Sequence, residues 1–310
     1  MLRYLLRRTF QMIPVLLGIS FIIFSIMAFT PGDPAKLILG ENATVEAVTE
    51  LREEMGLNEN FFVRYFKYVL DALKGDFGVS YRNKIPVFDE LFSRFPTTLK
   101  LTFWAIFISV IIGIPVGIIS AVKQYTIIDN SSLVITLILT SIPGFWLGLM
   151  LIMLFSLKLG WLPATGIDTW KHFVLPSVTL AGSCMATVIR MTRSTMLEVI
   201  RQDYIRTARA KGADEKRVIL KHGFKNALLP IITVVGLTFG LQLGGAIITE
   251  SVFAIPGLGT LMVTSVRMKD IPMVMASVLF IAFAIGIINL IVDILYAFID
   301  PRVKAQYEKK

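Results

Sequence analysis

Six long apolar runs, separated by polar segments of very unequal length, organise this chain. They lie near residues 9–30, 98–122, 132–157, 173–200, 227–253 and 274–298. Each is long enough to cross a hydrocarbon core of about 30 Å, which takes roughly 20 helical residues. Backbone at that depth must satisfy its own hydrogen bonds, so helix is the predicted state of every run. The first run extends from Thr9 to Thr30 and ends in Thr-Pro-Gly-Asp-Pro with no small-x-small cleavage site before that turn. It is therefore read as an uncleaved span.

Residues 31–97 form the one sizeable hydrophilic region. Residues 44–56 predict a polar, acidic helix. Residues 60–74 predict an amphipathic helix carrying Phe62, Phe66, Val69 and Leu73 on one face. Gly75 stops that helix, and Gly75-Asp-Phe-Gly78 reads as a turn. Val87, Phe88, Leu91, Phe92 and Phe95 make a second apolar stripe just before the second span. This aromatic content describes an ordered cap over the membrane face or a docking surface for an external partner, not a linker. The Gly- and Pro-rich but half-apolar stretch from Phe253 to Pro272 suits a re-entrant segment.

Composition agrees with a membrane protein. The chain is 55% hydrophobic and only 17% charged, with a mean hydropathy of +0.71. The net charge of +9 raises the question of nucleic acid, but its distribution answers against it. Residues 201–225 hold eight basic and three acidic residues, whereas 31–97 hold eight basic and eleven acidic ones. Arg3, Arg7 and Arg8 precede the first span, and Arg302, Lys304, Lys309 and Lys310 follow the last. This is a positive-inside pattern with both termini cytoplasmic. The lone Cys184 excludes an intramolecular disulfide, and His172 and His222 fall on opposite sides, so no metal site is expected.

Inside the spans, small residues recur at four-residue spacing: Gly113 and Gly117, Gly144 and Gly148, and Gly236, Gly240 and Gly244, the last followed by Gly245. Such faces let helix backbones approach closely. The triple places span five at a crowded interface, between two subunits or along a pathway. Pro115 and Pro143 are expected to kink their helices. Among ionisable residues, Arg190, Arg193 and Glu198 read as a cytoplasmic salt-bridge cluster. Asp293 reads as an ion-pair partner near the inner end of span six. Gln242 lies deep in span five, and Glu250, toward its outer end, braces the re-entrant stretch or meets a substrate amino group.

The polar segment between spans four and five is the richest in signal. Residues 203–211 suit a short helix with Tyr204, Thr207, Ala208 and Lys211 on one side, and the small pair Thr207-Ala208 would let another protein approach. Gly212 turns the chain, and 214–225 is a second helical stretch leading to Pro230. On residues alone, a generic amphipathic, positive-inside loop fits as well. The chain has no Gly-x-x-x-x-Gly-Lys-Ser/Thr, so any nucleotide chemistry would belong to another subunit.

Asp203-Tyr-Ile-Arg-Thr-Ala-Arg-Ala-Lys-Gly212, followed by Lys225-Asn-Ala-Leu-Leu-Pro230, resembles the EAA-type coupling loop of ABC importer membrane subunits. Arg206-Thr207-Ala208 stands where the general motif has Glu-Ala-Ala, as in the dipeptide/oligopeptide permease family, which also includes nickel and glutathione importers. Pro31-Gly-Asp-Pro-Ala35, Ile142-Pro-Gly-Phe-Trp-Leu-Gly148, Leu159-Gly-Trp-Leu-Pro163, Phe253-Ala-Ile-Pro-Gly-Leu-Gly259 and Asp300-Pro-Arg302 extend the resemblance over almost the whole chain, and it is greatest to the first of two homologous permeases.

The resemblance implies an all-α integral membrane protein with six transmembrane helices of the ABC type I importer kind. Residues 1–30 would be the cytoplasmic end and first helix, 31–97 an extracytoplasmic segment, 98–300 a five-helix core with coupling loop 201–225, and 301–310 a cytoplasmic tail. It implies coupling to an ATPase through Asp203, Tyr204, Arg206, Thr207, Ala208, Lys211 and Gly212. Gly236, Gly240, Gly244, Gln242 and Glu250 would lie at a helix interface or along the pathway.

The implied partners are a second homologous permease in a heterodimer, two cytoplasmic ABC ATPases carrying ATP and Mg, an extracytoplasmic substrate-binding protein and membrane lipid. No cofactor is expected on this chain, and the location is a bacterial or archaeal inner or plasma membrane. The implied cargo is a di- or oligopeptide, with nickel chelate or glutathione as alternatives. A secondary transporter would favour midplane ionisable groups and would not need the 203–225 loop. A membrane enzyme would need clustered catalytic groups, which scarce histidines and scattered carboxylates do not supply.

Overall fold

The computed structural model describes residues 2–40 and 42–299, so the basic tail with Arg302, Lys304, Lys309 and Lys310, and the Asp300-Pro-Arg302 motif, lie outside the described residues. The helices in chain order are α1 (Leu2–Phe29), α2 (Pro34–Leu39), α3 (Val45–Glu54), α4 (Phe61–Leu73), α5 (Val87–Val122), α6 (Ile127–Ser141), α7 (Gly144–Leu151), α8 (Val174–Ile200), α9 (Asp203–Ala210), α10 (Glu215–Arg217), α11 (Lys225–Gly245), α12 (Ile247–Val252), α13 (Leu258–Arg267) and α14 (Ile271–Ile299). Among the described residues there is no strand, only an isolated bridge between Val79 and Pro86. Five helices are long and apolar enough to cross a membrane, and the bent pair α6–α7 makes a sixth when counted as one span.

Two compact units emerge. The first comprises Leu99–Ile255 together with the chain from Ile285. Its core runs through three clusters. One gathers Leu101, Ala105, Phe173, Leu180, Ala181 and Phe253, a second gathers Ile106, Cys184 and Val188, and the third gathers Met196, Ile219, Ala227 and Ile231. Glycine permits the close approach of α5 to α8. A Cβ at Gly117 would lie 2.8 Å from the Ile189 carbonyl oxygen and 2.6 Å from the Thr192 Cβ, and one at Gly113 would lie 3.0 Å from Val188. Of the two prolines expected to kink their spans, Pro115 sits in an unbroken α5. At Ile142-Pro143 the chain instead turns through 99°, both residues being extended, as the restriction on the residue before proline demands. The expected single span 132–157 is therefore a broken one.

The second unit comprises Leu6–Thr98 and Pro256–Ala284. Asp33 caps α2 by accepting the Ala35 N–H at 3.0 Å and pairs with Arg52 of α3 at 2.7 Å. The amphipathic helix forms as predicted, but it buries a different face. Phe61 and Tyr65 pack on Phe24 of α1, at 5.3 and 5.5 Å between ring centres, and the Tyr65 hydroxyl meets Ser20 Oγ at 2.9 Å and the Leu17 carbonyl at 3.1 Å. Of the predicted stripe, Phe62, Phe66 and Leu73 are exposed, and only Val69 is half-buried. Aromatic residues occupy both faces of α4, and the buried one carries Tyr65, whose hydroxyl finds Ser20 and the Leu17 carbonyl.

The stripe Val87–Phe95 is not a separate element. It is the first turns of the 36-residue α5, with Val87 and Leu91 fully buried and Phe92 and Phe95 against Phe280. The Gly75–Gly78 turn forms with positive φ at both glycines and Asp76 accepting the Gly78 N–H at 2.8 Å. Within the stretch read as a re-entrant segment, Leu258–Arg267 is a helix. Its entry is anchored by Thr98, whose hydroxyl accepts the Leu258 N–H at 2.8 Å, and the turn after it by buried Asp270, which accepts from the Ser80 hydroxyl and the Tyr81 N–H.

Candidate functional site

The segment that follows α8 is short, polar and exposed, as its residues require. Helix α9 starts after Gln202, with Asp203 in its first turn where a carboxylate complements the helix dipole. The Thr207 hydroxyl returns to the Asp203 carbonyl at 2.9 Å, and Arg206 lies 3.8 Å from the Asp203 carboxylate. Asp203, Tyr204, Arg206, Thr207, Lys211 and Gly212 are all exposed, and Ala208 is half-buried. The predicted set thus lies together on one eight-residue helix and its exit turn.

That exit is a Schellman arrangement. The Ala213 N–H donates to the Ala208 carbonyl at 3.2 Å and the Gly212 N–H to the Arg209 carbonyl at 2.9 Å. Gly212 has φ +77°, in the left-handed region where glycine has no Cβ to penalise. No atom lies within 4 Å of where its Cβ would be, so backbone conformation rather than crowding demands the glycine. Asp214 then caps the next helix through the Lys216 N–H at 3.1 Å, and that helix continues through a wide turn at Val218–Phe224 into α11. The second helical stretch is therefore continuous with span five rather than a free helix.

Three determinants of this surface were not read from the sequence. Ile205 is completely buried and anchors α9, and it is the only aliphatic residue larger than alanine between Arg201 and Arg217, which was the available signal. Arg209 grips Glu215 at 3.0 and 2.6 Å across the turn, a six-residue separation that helical periodicity does not flag. These bonds raise the Arg209 guanidinium further above its ordinary value, so it stays cationic.

The third is Asp129. The expected cluster of Arg190, Arg193 and Glu198 does not form, since Arg190 and Glu198 are exposed and Arg193 turns the other way. Arg193 Nε donates to Asp129 Oδ1 at 2.6 Å and Nη2 to Oδ2 at 2.8 Å. Ser120 Oγ donates to Oδ1 at 2.5 Å and the Tyr125 N–H to Oδ2 at 2.9 Å. The carboxylate is 1% exposed and all four bonds are in place, so the α5–α6 turn is locked to α8 about two turns before α8 ends. Arg201 adds a weaker bond to Gln124 at 3.3 Å.

The span-five residues form a different site. A Cβ on Gly236 would overlap Val292, and one on Gly240 would lie 3.3 Å from Ile285. The glycine face expected at a subunit interface or pathway is thus filled by α14 of the same chain. Gly244 is half-buried in α11. Gln242 Nε2 donates to the Leu180 carbonyl at 2.8 Å and fastens α11 to α8. Glu250 is fully buried on α12, and its carbonyl accepts the Ile255 N–H at 2.8 Å, closing the turn at Ala254. Asp293 is buried on α14.

Comparison with known proteins finds matches along almost the whole chain. The family described as binding-protein-dependent transport system inner membrane component matches residues 113–305, and its N-terminal membrane-component counterpart matches residues 1–102. The chain is 43% identical over 304 residues to the glutathione transport system permease protein GsiC of Escherichia coli (strain K12), covering 98% of this chain and 99% of that one. It is 43% identical over 332 residues to the dipeptide transport system permease protein DppB of Alkalihalophilus pseudofirmus, covering 98% and 100%. Among solved structures, the inward-facing MetNI methionine ABC transporter matches with a TM-score of 0.58 at 22% identity, over 68% of this chain and 96% of that chain. An amino acid ABC transporter solved with histidines matches at 0.51 and 19%, over 69% and 94%. The two structural likenesses concern the fold alone.

Proposed function

The chain belongs to the binding-protein-dependent transport system inner membrane components and is an ABC importer permease; from that premise we propose that it forms half of the translocation pathway for di- or oligopeptides. The observation that carries the mechanism is α9, a short exposed helix with a glycine-dependent exit, fixed by Ile205 and held to the ends of α8 and α11. In this reading α9 seats on a cytoplasmic ATPase, one of two carrying ATP and Mg. Movement of α9 passes into α8 and, through Arg193–Asp129, into α6 and the 99° bend beyond it. A second homologous permease completes the pathway, and a binding protein delivers cargo to the outer side. The chain itself performs no covalent chemistry. Two relatives at 43% identity are named for glutathione and for dipeptides, both small peptides, and this supports the cargo class.

Reconstitution in liposomes with the neighbouring subunits and binding protein tests the reading. ATP-dependent uptake of a labelled di- or oligopeptide is the expected result, with glutathione and a nickel chelate as the competing arms. Uptake driven by an ion gradient without ATP, or of nickel chelate alone, would overturn it.

The distribution of basic residues further supports cytoplasmic termini and an external 31–97 segment. In a Cys184→Ala background, Val45→Cys is expected to react with an impermeant thiol reagent in intact cells and Lys216→Cys only after lysis. Val45 is 77% exposed, so its accessibility does not depend on unfolding. Equal labelling of both in intact cells would refute this sidedness.

A further inference from the structure

Near the start of α8, a cleft of about 370 Å³ opens beside α5. Trp104, Phe107, Trp170 and Phe173 line it, and all but Phe173 are exposed. Lys100 stands at the same place with its ammonium 4.3 Å from the centre of the Phe173 ring. It forms no ion pair among the described residues. Ser177, 1% exposed, also lines the cleft, and its hydroxyl has no hydrogen-bond partner.

Each of these features has a cost or a preference that points outward. A buried hydroxyl without a partner is unfavourable, and serines in helices ordinarily bond to the preceding turn. Tryptophans collect where a bilayer's hydrocarbon meets its headgroups. A lysine with an apolar stem against such a surface places its charge at the rim, where a phosphate satisfies it. The adjoining Trp170–Phe173 turn ends the polar connection before α8, and Lys100 is the third residue of the apolar run 98–122, so both lie where a polar segment gives way to an apolar one.

We infer that this cleft holds an anionic phospholipid of the outer leaflet, with an acyl chain along the aromatic walls, the phosphate on Lys100 and a glycerol-ester oxygen accepting from Ser177. A soluble peptide does not fit, because the lining offers it almost no polar group. Only the leaflet rests on the sidedness proposed above, since the site itself stands on the cleft.

The test uses the assembled complex in nanodiscs, with dibromostearoyl-phosphatidylglycerol and dibromostearoyl-phosphatidylcholine as quenchers of tryptophan fluorescence. Subtracting the signal of a Trp104→Phe/Trp170→Phe complex isolates the cleft. Phosphatidylglycerol is expected to quench about five-fold more tightly than phosphatidylcholine, the ratio one interfacial lysine supplies. Lys100→Gln is expected to remove that preference and Lys100→Arg to keep it. Ser177→Ala is expected to weaken both lipids by a similar factor. Equal quenching by the two lipids, unchanged in Lys100→Gln, would reduce the site to general lipid contact. Absence of quenching at both tryptophans would mean that protein covers the cleft, and either outcome overturns the inference. Should Lys100→Gln fail to assemble, the comparison of the two lipids on the unaltered complex decides.

Discussion

Asp129→Ala is expected to destabilise the permease by about 3–5 kcal/mol, the usual consequence of removing one partner of a buried ion pair. The magnitude follows from what remains. Arg193, 19% exposed, would keep its charge with no counter-ion, and Ser120 and the Tyr125 N–H would lose their acceptor. The Arg209–Glu215 pair makes the contrast. It has similar distances, but its side chains are 40% and 56% exposed, and such pairs contribute only about 0–1 kcal/mol. Glu215→Ala should therefore leave the unfolding midpoint nearly unchanged. Denaturation of the purified complex, followed by loss of the partner subunits on size exclusion, measures both. Pairing Asp129→Leu with Arg193→Met should recover much of the loss, since a well-packed apolar pair removes the orphaned charge. A midpoint for Asp129→Ala equal to that of the unaltered protein would show that the pair holds nothing together.

Gly212→Val is expected to leave the complex assembled while uptake falls roughly five- to thirty-fold. A non-glycine residue in the left-handed region costs about 1–2 kcal/mol, which lowers the population of the native turn by that factor. Open space surrounds the site, so the penalty is one of backbone and not of collision. This makes a sharp control available. Gly212→Asn, equally able to clash but tolerant of positive φ, should behave nearly as the unaltered protein. If α9 transmits the ATPase stroke, the valine variant should also lose stimulation of hydrolysis by loaded binding protein. Full uptake with fully stimulated hydrolysis in Gly212→Val would make the loop an ordinary positive connection.

The parts of the site that were legible are those whose signals are local. The α9 surface was readable because Gly212 marks its own conformational need and the flanking charges mark a solvated helix. Asp129 was not readable. Its partner lies 64 residues away, and nothing in the turn between two apolar runs distinguishes a carboxylate that is 1% exposed from one in water. Arg193 has Glu198 on its own helix, and the structure nonetheless passes over that neighbour for a bidentate bond backed by Ser120 and Ser132. A desolvated, fully bonded pair outweighs a solvated one that happens to be close in sequence.

The sequence by itself determined the apolar spans, the segments in which basic residues gather, the existence of α3, α4 and α9, and the turns at Gly75–Gly78 and Gly212. These follow from run length, from periodicity and from the backbone freedom of single residues, all of which act within a few positions. Only the tertiary structure decided which face of α4 is buried, that α14 fills the glycine face of α11, that Leu258–Arg267 is helical, and that the bend expected at Pro143 reaches 99°. Aromatic residues on two faces of α4 make its pattern ambiguous until Ser20 and Phe24 take one of them, and a glycine face states that something approaches without naming what. The physical reason is the same throughout: hydrophobicity and backbone propensity are properties of a segment, whereas close packing and the satisfaction of buried polar groups are properties of the pair that meets.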